Sequence, residues 1–284
     1  VNGISRIGFM TGGQDARWVD EEMADVFIRQ ATRFVQQSRD QPFFLFFSTH
    51  DIHVPRAPHA RFVGATPHGP RGDALVEFDW CVGQIVDSLR QAGVSNDTLI
   101  IVTSDNGPVL DDGYQDQAAE RIGDHRPAGV LRGGKYSNFE GGTRVPWIVH
   151  WPRRVRPGVS DAIVSQVDLP RSLASLVGFE SLASDTAPDS QDVLPALLGD
   201  SDAGRQQVVL QGRSLALRQG DWKYIEASPG PAINRATNTE LGNSDASQLY
   251  HLRSDPGETR NLASEKPERA SQMADMLKEI REQR

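Results

Sequence analysis

The chain has 284 residues, of which 38% are hydrophobic and 24% charged, and its formal net charge is −8. That is enough apolar material for one large α/β domain or two unequal ones. So acidic a balance argues against a broad nucleic-acid surface but leaves room for a local cationic pocket. The single cysteine, Cys81, excludes an internal disulfide and a cysteine-rich zinc site. No stretch approaches the roughly 18 apolar residues of a membrane span. No signal peptide is visible, but the chain opens on Val1 rather than Met, so this says nothing about compartment.

Asp20-Glu21-Glu22 place acids where a helix start favours them, and Met23, Phe27, Ala31 and Phe34 follow at helical spacing until Pro42. Residues 43–47 form a continuous apolar run, as expected of a strand buried on both faces, and end in the polar cluster 48–53. Residues 73–92 read as a helix, with Leu75, Phe78, Val82, Ile85 and Leu89 as its stripe and Gly93 as its stop. Residues 99–102 are a second buried strand, ending in Thr103-Ser104-Asp105-Asn106-Gly107. Strand, helix and strand at this spacing predict a βαβ unit with parallel strands, both polar clusters falling at carboxyl ends, where ligands bind in open α/β sheets.

Residues 108–134 lack periodicity, and so long a loop is usually functional or mobile. Residues 145–151 predict a third strand and 168–177 a short helix, followed by a polar connection over 179–205. Short β-type runs at 207–211, 214–218, 222–226 and 248–252 predict a small antiparallel sheet. Residues 267–284 predict an amphipathic helix with Met273, Met276, Leu277 and Ile280 on its apolar face. The expected organisation is an α/β core over 1–205, its mostly parallel sheet flanked by helices, and a C-terminal subdomain over 206–284.

Three clusters carry chemistry. Asp105 and Asn106 offer hard oxygen donors that suit Ca²⁺ or Mg²⁺ better than zinc, although Asp105-Asn106-Gly107 also reads as a plain Asx turn. His53, just past a strand and followed by Pro55, has the type and place of a general acid or anion binder; His59 and His68 read as ordinary loop residues. Arg132, Lys135 and Arg144, interleaved with Gly133, Gly134, Gly141 and Gly142, have the make-up of an oxyanion cradle or of a glycine-rich surface turn. No Walker-type lysine pattern is present. Cys81 falls within the second helix and reads as a buried structural thiol.

The order of these pieces carries more than any one of them. His53-Val54-Pro55, then Ser104-Asp105-Asn106-Gly107, Leu131-Arg132-Gly133-Gly134-Lys135 and Glu140-Gly141-Gly142-Thr143-Arg144-Val145-Pro146 resemble the formylglycine-dependent sulfatases of the alkaline-phosphatase-like superfamily. Trp222-Lys223-Tyr224, Leu249-Tyr250-His251-Leu252, Asp255-Pro256-Gly257-Glu258 and Asn261-Leu262-Ala263 agree with that family's C-terminal signature. The resemblance implies hydrolysis of a sulfate monoester, with a sulfated small molecule or glycan as partner and neither nucleic acid nor membrane. It implies Ca²⁺, with Mg²⁺ less suited, held in part by Asp105 and Asn106. Lys135 is similar to the lysine that holds the sulfate and His53 to the histidine near the leaving oxygen. Arg144 braces the site or contacts substrate, and His125 faces the sugar.

The family's nucleophile is a formylglycine made in a Cys/Ser-x-Pro-x-Arg motif, and no such motif occurs in these 284 residues; Cys81 is followed by Val82-Gly83-Gln84-Ile85. The expectation is therefore an alkaline-phosphatase-like fold lacking its N-terminal nucleophile region and inactive by itself. Its first strands would be missing, leaving a sheet edge through which copies could associate. The family suggests a periplasmic or secreted setting. The competing readings are a noncatalytic sulfated-glycan-binding protein and a phosphodiesterase or phosphonate hydrolase of the same superfamily.

Overall fold

The computed structural model describes residues 13–14, 17–179, 182–183 and 185–283. The first twelve residues of the expected core, and Glu180, Ser181 and Ser184 of the expected connection, lie outside them. The chain divides into two compact units, one of residues 1–98 with 109–126, the other of 99–108 with 127–284. Residues 206–284 thus belong to the second unit together with the strands of the expected core.

In the first unit a 3₁₀ turn (Asp20–Glu22) leads into α1 (Met23–Ser38), its three acids at the positive end of the helix. Ala24, Ile28, Ala31 and Val35, spaced by four, three and four, are the buried face. α2 (Gly69–Gln91) begins four residues before the expected start. Ala24 and Ile28 pack on Cys81 of α2, with Phe47, Trp80 and Ile85 around them. Cys81 is buried as expected, and that burial pushes its thiol pKa up. The deepest face of α2 is not the expected stripe, of which only Leu89 is fully buried; it includes Arg71, Asp73, Ala74, Glu77 and Cys81.

The run over 43–47 is not a strand paired on both sides. Among the described residues it has no ladder partner, and Phe44 and Phe46 are 70% and 81% exposed, while Phe43 packs edge-on against Phe34. One face rests on the helices and the other is open.

In the second unit β1 (Ile100–Thr103) pairs antiparallel with β2 (Trp147–His150), Ile100 opposite His150 and Thr103 opposite Trp147. β1 has β2 as an antiparallel neighbour, and every strand pairing among the described residues is antiparallel; a parallel pairing of 43–47 with 99–102 is not among them. The α/β character itself stands. α3 (Glu140–Thr143), α4 (Leu169–Leu176) and α5 (Leu194–Leu197) precede β3 (Gln207–Gln211), β4 (Leu215–Gln219) and β5 (Trp222–Ile225). After the hairpin of β6 (Ile233–Asn234) and β7 (Thr239–Glu240) come β8 (Gln248–His251) and α6 (Pro267–Glu282). β3, β4, β5 and β8 form the expected antiparallel sheet, in that order.

Side chains alternate across this sheet. Leu217, Tyr224 and Leu249 point to one face, where Ala270, Met273 and Leu277 of α6 cover them. Ala216, Ile225 and Tyr250 point to the other and meet Phe139. The same alternation puts Arg218 and Lys223 on the Phe139 side, directly opposite one another across β4 and β5. Like charges so placed repel, and the residue that relieves this lies beside the candidate site.

Candidate active site

β1 ends at Thr103, and the chain turns through Ser104-Asp105-Asn106-Gly107. Asp105 Oδ1 accepts the Asn106 amide hydrogen at 2.9 Å, and Asn106 Nδ2 donates to the Gly107 carbonyl at 2.9 Å. The Ser104 hydroxyl donates to the Asn106 carbonyl at 3.0 Å. The turn is thus the local structure that Asx residues favour, and it keeps both side-chain carbonyl-type oxygens at the strand's end. The Gly107 amide donates to the Gly142 carbonyl at 3.0 Å, and the Lys135 amide to the Pro108 carbonyl at 2.9 Å. Glycine is obligatory here for close approach: a Cβ on Gly107 would stand 1.8 Å from the Gly141 oxygen. The backbone therefore fastens Lys135 to the turn that carries Asp105 and Asn106. The half-buried Lys135 places Nζ 5.4 Å from the ring centre of Tyr136.

Behind this loop is a buried ion network. Lys223, fully buried, places Nζ 3.0 Å from Glu140 Oε1 and 3.2 Å from Glu258 Oε1. Glu140 Oε2 lies 3.3 Å from Arg218 Nη1 and 3.9 Å from Arg144 Nη1. Glu140 thus bridges the two opposed cations of β4 and β5. The Glu140 amide donates to Glu258 Oε2 at 2.5 Å. Burial pushes the Glu140 carboxyl up, but Lys223 and Arg218 outweigh it and hold the group below its ordinary value. Burial pushes Glu258 above its ordinary value, Lys223 opposing and the negative charge of Glu140 adding. Arg132 completes the clamp: it grips Glu240 with two N–H groups at 2.8 and 3.0 Å, donates to the Glu258 carbonyl at 2.8 Å, and stacks 4.1 Å from the Phe139 ring centre. The sequence marked these motifs but gave Glu140, Lys223 and Glu258 no part. A lysine inside a β-run whose neighbours are apolar was the available signal.

The candidate histidines belong to the first unit. His53 is exposed in the turn after 43–49, its amide donating to the His50 carbonyl at 2.9 Å. Its Nδ1 lies 2.8 Å from the Val54 carbonyl, an acceptor only, so Nδ1 carries a proton and donates to it. His125, also exposed, has its ring 5.8 Å from that of His68. His68, read as an ordinary loop residue, accepts or donates no idle contact: its Nδ1 meets the Arg121 carbonyl at 3.0 Å at the start of α2.

Beside His53, Asp51 is buried against Cys81 and Thr49, with His50 Nδ1 at 3.5 Å. Burial raises its pKa, His50 opposing. A raised folded-state pKa favours folding below the unfolded carboxylate value and loses that contribution as pH rises through the folded value. Asp51→Asn is therefore expected to melt above the native chain at pH 7, the gap closing as pH falls toward 4. Melting curves across that range test it, and a variant less stable at every pH would contradict it.

Asp105 and Asn106 fit a hard divalent cation chemically: both present oxygen, and Asn106 commits only its amide nitrogen within the turn. They are two donors of the roughly six to eight that Ca²⁺ takes, and no group of three or more His, Cys, Asp or Glu able to hold a metal occurs among the described residues. No helix among these residues is long and apolar enough to cross a membrane.

Comparison with known proteins supplies the frame. The family model described as Sulfatase matches residues 8–179. An N-acetylgalactosamine-6-O-sulfatase of Bacteroides thetaiotaomicron is 47% identical over 283 residues, 99% of this chain and 55% of that protein. Human arylsulfatase A is 32% identical over 240 residues, 80% of this chain and 45% of its own. A solved structure from work on glycosaminoglycan metabolism by Bacteroides thetaiotaomicron superposes with a TM-score of 0.95 at 47% identity, over 99% of this chain and 58% of that one. A sulfatase from Pseudoalteromonas sp. gives 0.76 at 29% identity, over 92% and 52%. The chain thus spans about half the length of the curated relatives it matches.

Proposed function

Since the chain belongs to the sulfatase family, we propose that its residues form part of a site that hydrolyses a sulfate monoester on a glycan, N-acetylgalactosamine 6-sulfate being the substrate that the 47%-identical relative's name points to. The observation that carries this is the fastening of Lys135 to Pro108, two residues beyond Asn106. One turn so holds a cation for sulfate oxygens and two oxygen donors for a divalent ion.

Lys135 binds the sulfate group as a point charge. Asp105 and Asn106 would hold Ca²⁺ in part, Mg²⁺ being less suited to so open a donor pair. Such an ion would supply Lewis-acid stabilisation of oxyanion charge when bound, and the nucleophile would be a formylglycine, for which these 284 residues hold no motif. For His53 we propose the role of proton donor to the departing ester oxygen, whose negative charge grows as the S–O bond breaks. Glu140 keeps Arg144 beside the loop, and His125 contacts the sugar. The glycine-rich loop contributes rigidity: its shape is set before substrate arrives, so little reorganisation accompanies charge development.

The test is binding by this chain. N-acetylgalactosamine 6-sulfate is expected to bind saturably, unsulfated N-acetylgalactosamine far more weakly, and Lys135→Ala to lose at least tenfold in affinity for the sulfated sugar. Equal binding of the two sugars, or no effect of Lys135→Ala, would overturn the reading. Turnover of p-nitrophenyl sulfate by the 284-residue chain would overturn the assignment of the nucleophile to residues outside it.

A further inference from the structure

Among the described residues of the first unit, one buried cation has a guanidinium nitrogen with no hydrogen-bond partner. Arg71, the third residue of α2, is 6% exposed, and its Nη1 is buried with no hydrogen-bond partner among the described residues. The nearby acid is already engaged: Asp116 takes Arg56 Nη1 on Oδ2 at 2.6 Å and the Ala118 amide on Oδ1 at 3.0 Å. Arg56 is likewise saturated, its three nitrogens donating to the carbonyls of Ile52, Leu110 and Val109 at 3.2, 3.1 and 3.0 Å. Asp73, two residues further along α2, accepts the amides of Gly64 and Thr66 at 2.8 and 2.9 Å. Two buried guanidinium groups therefore share one carboxylate.

Burial and the like charge of Arg56 both act against the protonated form of Arg71, and only Asp116 favours it. A buried cation in that position is costly unless an anion meets it. Its surroundings suit one. Arg71 lies in the first turn of a 23-residue helix, where free N–H groups and the dipole favour negative charge. His68, just before that helix, faces His125, and the Arg121 side chain packs where a Cβ on Gly69 would fall, 2.8 Å from Cδ.

We infer that Arg71 anchors a second anion site, in which its planar fork takes an oxyanion, a sulfate group or a sugar carboxylate. Within the proposed sulfatase function, which this inference rests on, the site reads a further acidic group of an anionic glycan near His125. Arg71 belongs to the first unit and Lys135 to the second.

Thermal melting of the full chain separates the two sites. Native protein, Arg71→Met and Lys135→Ala are melted in chloride, sulfate and glucuronate at matched ionic strength. At about a hundredfold excess over the dissociation constant, an oxyanion raises the native midpoint by about 5 °C. Lys135→Ala retains a saturable increment, whereas Arg71→Met loses that share of the native increment and keeps only what Lys135 supplies. In chloride, Arg71→Met melts no lower than native, because an apolar side chain replaces an unpaired buried charge. An increment from inorganic sulfate supports a simple oxyanion as ligand, and one from glucuronate alone supports a sugar carboxylate. The inference is overturned if neither anion gives an increment, if Arg71→Met keeps the full native increment, or if Arg71→Met melts several degrees lower in chloride. Loss of all response in Lys135→Ala, with Arg71→Met unchanged, overturns it and leaves the proposed function standing.

Discussion

Lys223→Met is expected to lower the stability of the chain by about 3–5 kcal/mol, the usual loss when one partner of a buried ion pair is removed. The reason is that two carboxylates depend on it. Glu140 and Glu258 are both buried, and Lys223 lies within 3.2 Å of an oxygen of each. Without it, Glu140 keeps only Arg218 and the distant Arg144, and the Glu258 carboxylate faces another negative charge with only Arg132, bonded to its backbone carbonyl, nearby. For a chain of this size the drop corresponds to a fall in melting temperature of roughly 10 °C. The two acids should respond unequally. Glu258, held above its ordinary pKa by burial, already tolerates the neutral form better than Glu140, held below it. Glu258→Gln is thus expected to cost less than Glu140→Gln. Urea unfolding of the three variants settles this, and a Lys223→Met variant within about 1 kcal/mol of native would show that the network stabilises nothing.

Gly107→Ala is the second large effect. The added methyl would meet the Gly141 oxygen at 1.8 Å and the Gly142 Cα at 3.0 Å, both backbone atoms with no rotamer to turn aside. The turn after β1 and the glycine-rich loop must part, breaking the Gly107-to-Gly142 hydrogen bond. A loss of about 3 kcal/mol is expected, at the upper end for overpacking. Gly83→Ala is the matched control. Gly83 lies within α2, and a Cβ there meets nothing within 4 Å. Alanine is expected to stabilise it by about 0.5–1 kcal/mol through helix propensity. Equal effects of the two substitutions would mean that the close approach at Gly107 is not maintained in solution.

What the sequence disclosed depended on the range of the forces involved. The strands over 207–211 and 222–225 were legible because alternation and turn residues are local signals, and α6 because its stripe is periodic. The partner of β1 was not legible. Residues 99–102 are apolar whichever strand lies beside them, and β2 enters from beyond a long aperiodic loop. Residues 43–47 misled for a related reason: an unbroken apolar run looks the same whether both faces are covered or, as here, one is open. At the site, the motif residues Asp105, Asn106 and Lys135 could be picked out one by one. Their fastening through Pro108 and Gly142 uses backbone atoms, which every residue has and no motif displays. Arg71 escaped notice because its significance lies in what Asp116 is already doing elsewhere.

The Glu140 network also dictates an order of events. The contact between Lys223 and Glu140 spans 83 residues of chain, and that between the Glu140 amide and Glu258 spans 118. Closing loops of this length is slow and must precede any reward from the contact. On a ribosome, β1 and its Asx turn emerge long before Glu258 does. The glycine-rich loop bearing Lys135 therefore reaches its final shape only once Glu258 has emerged, so Lys135 is among the last groups of this chain to be set in place.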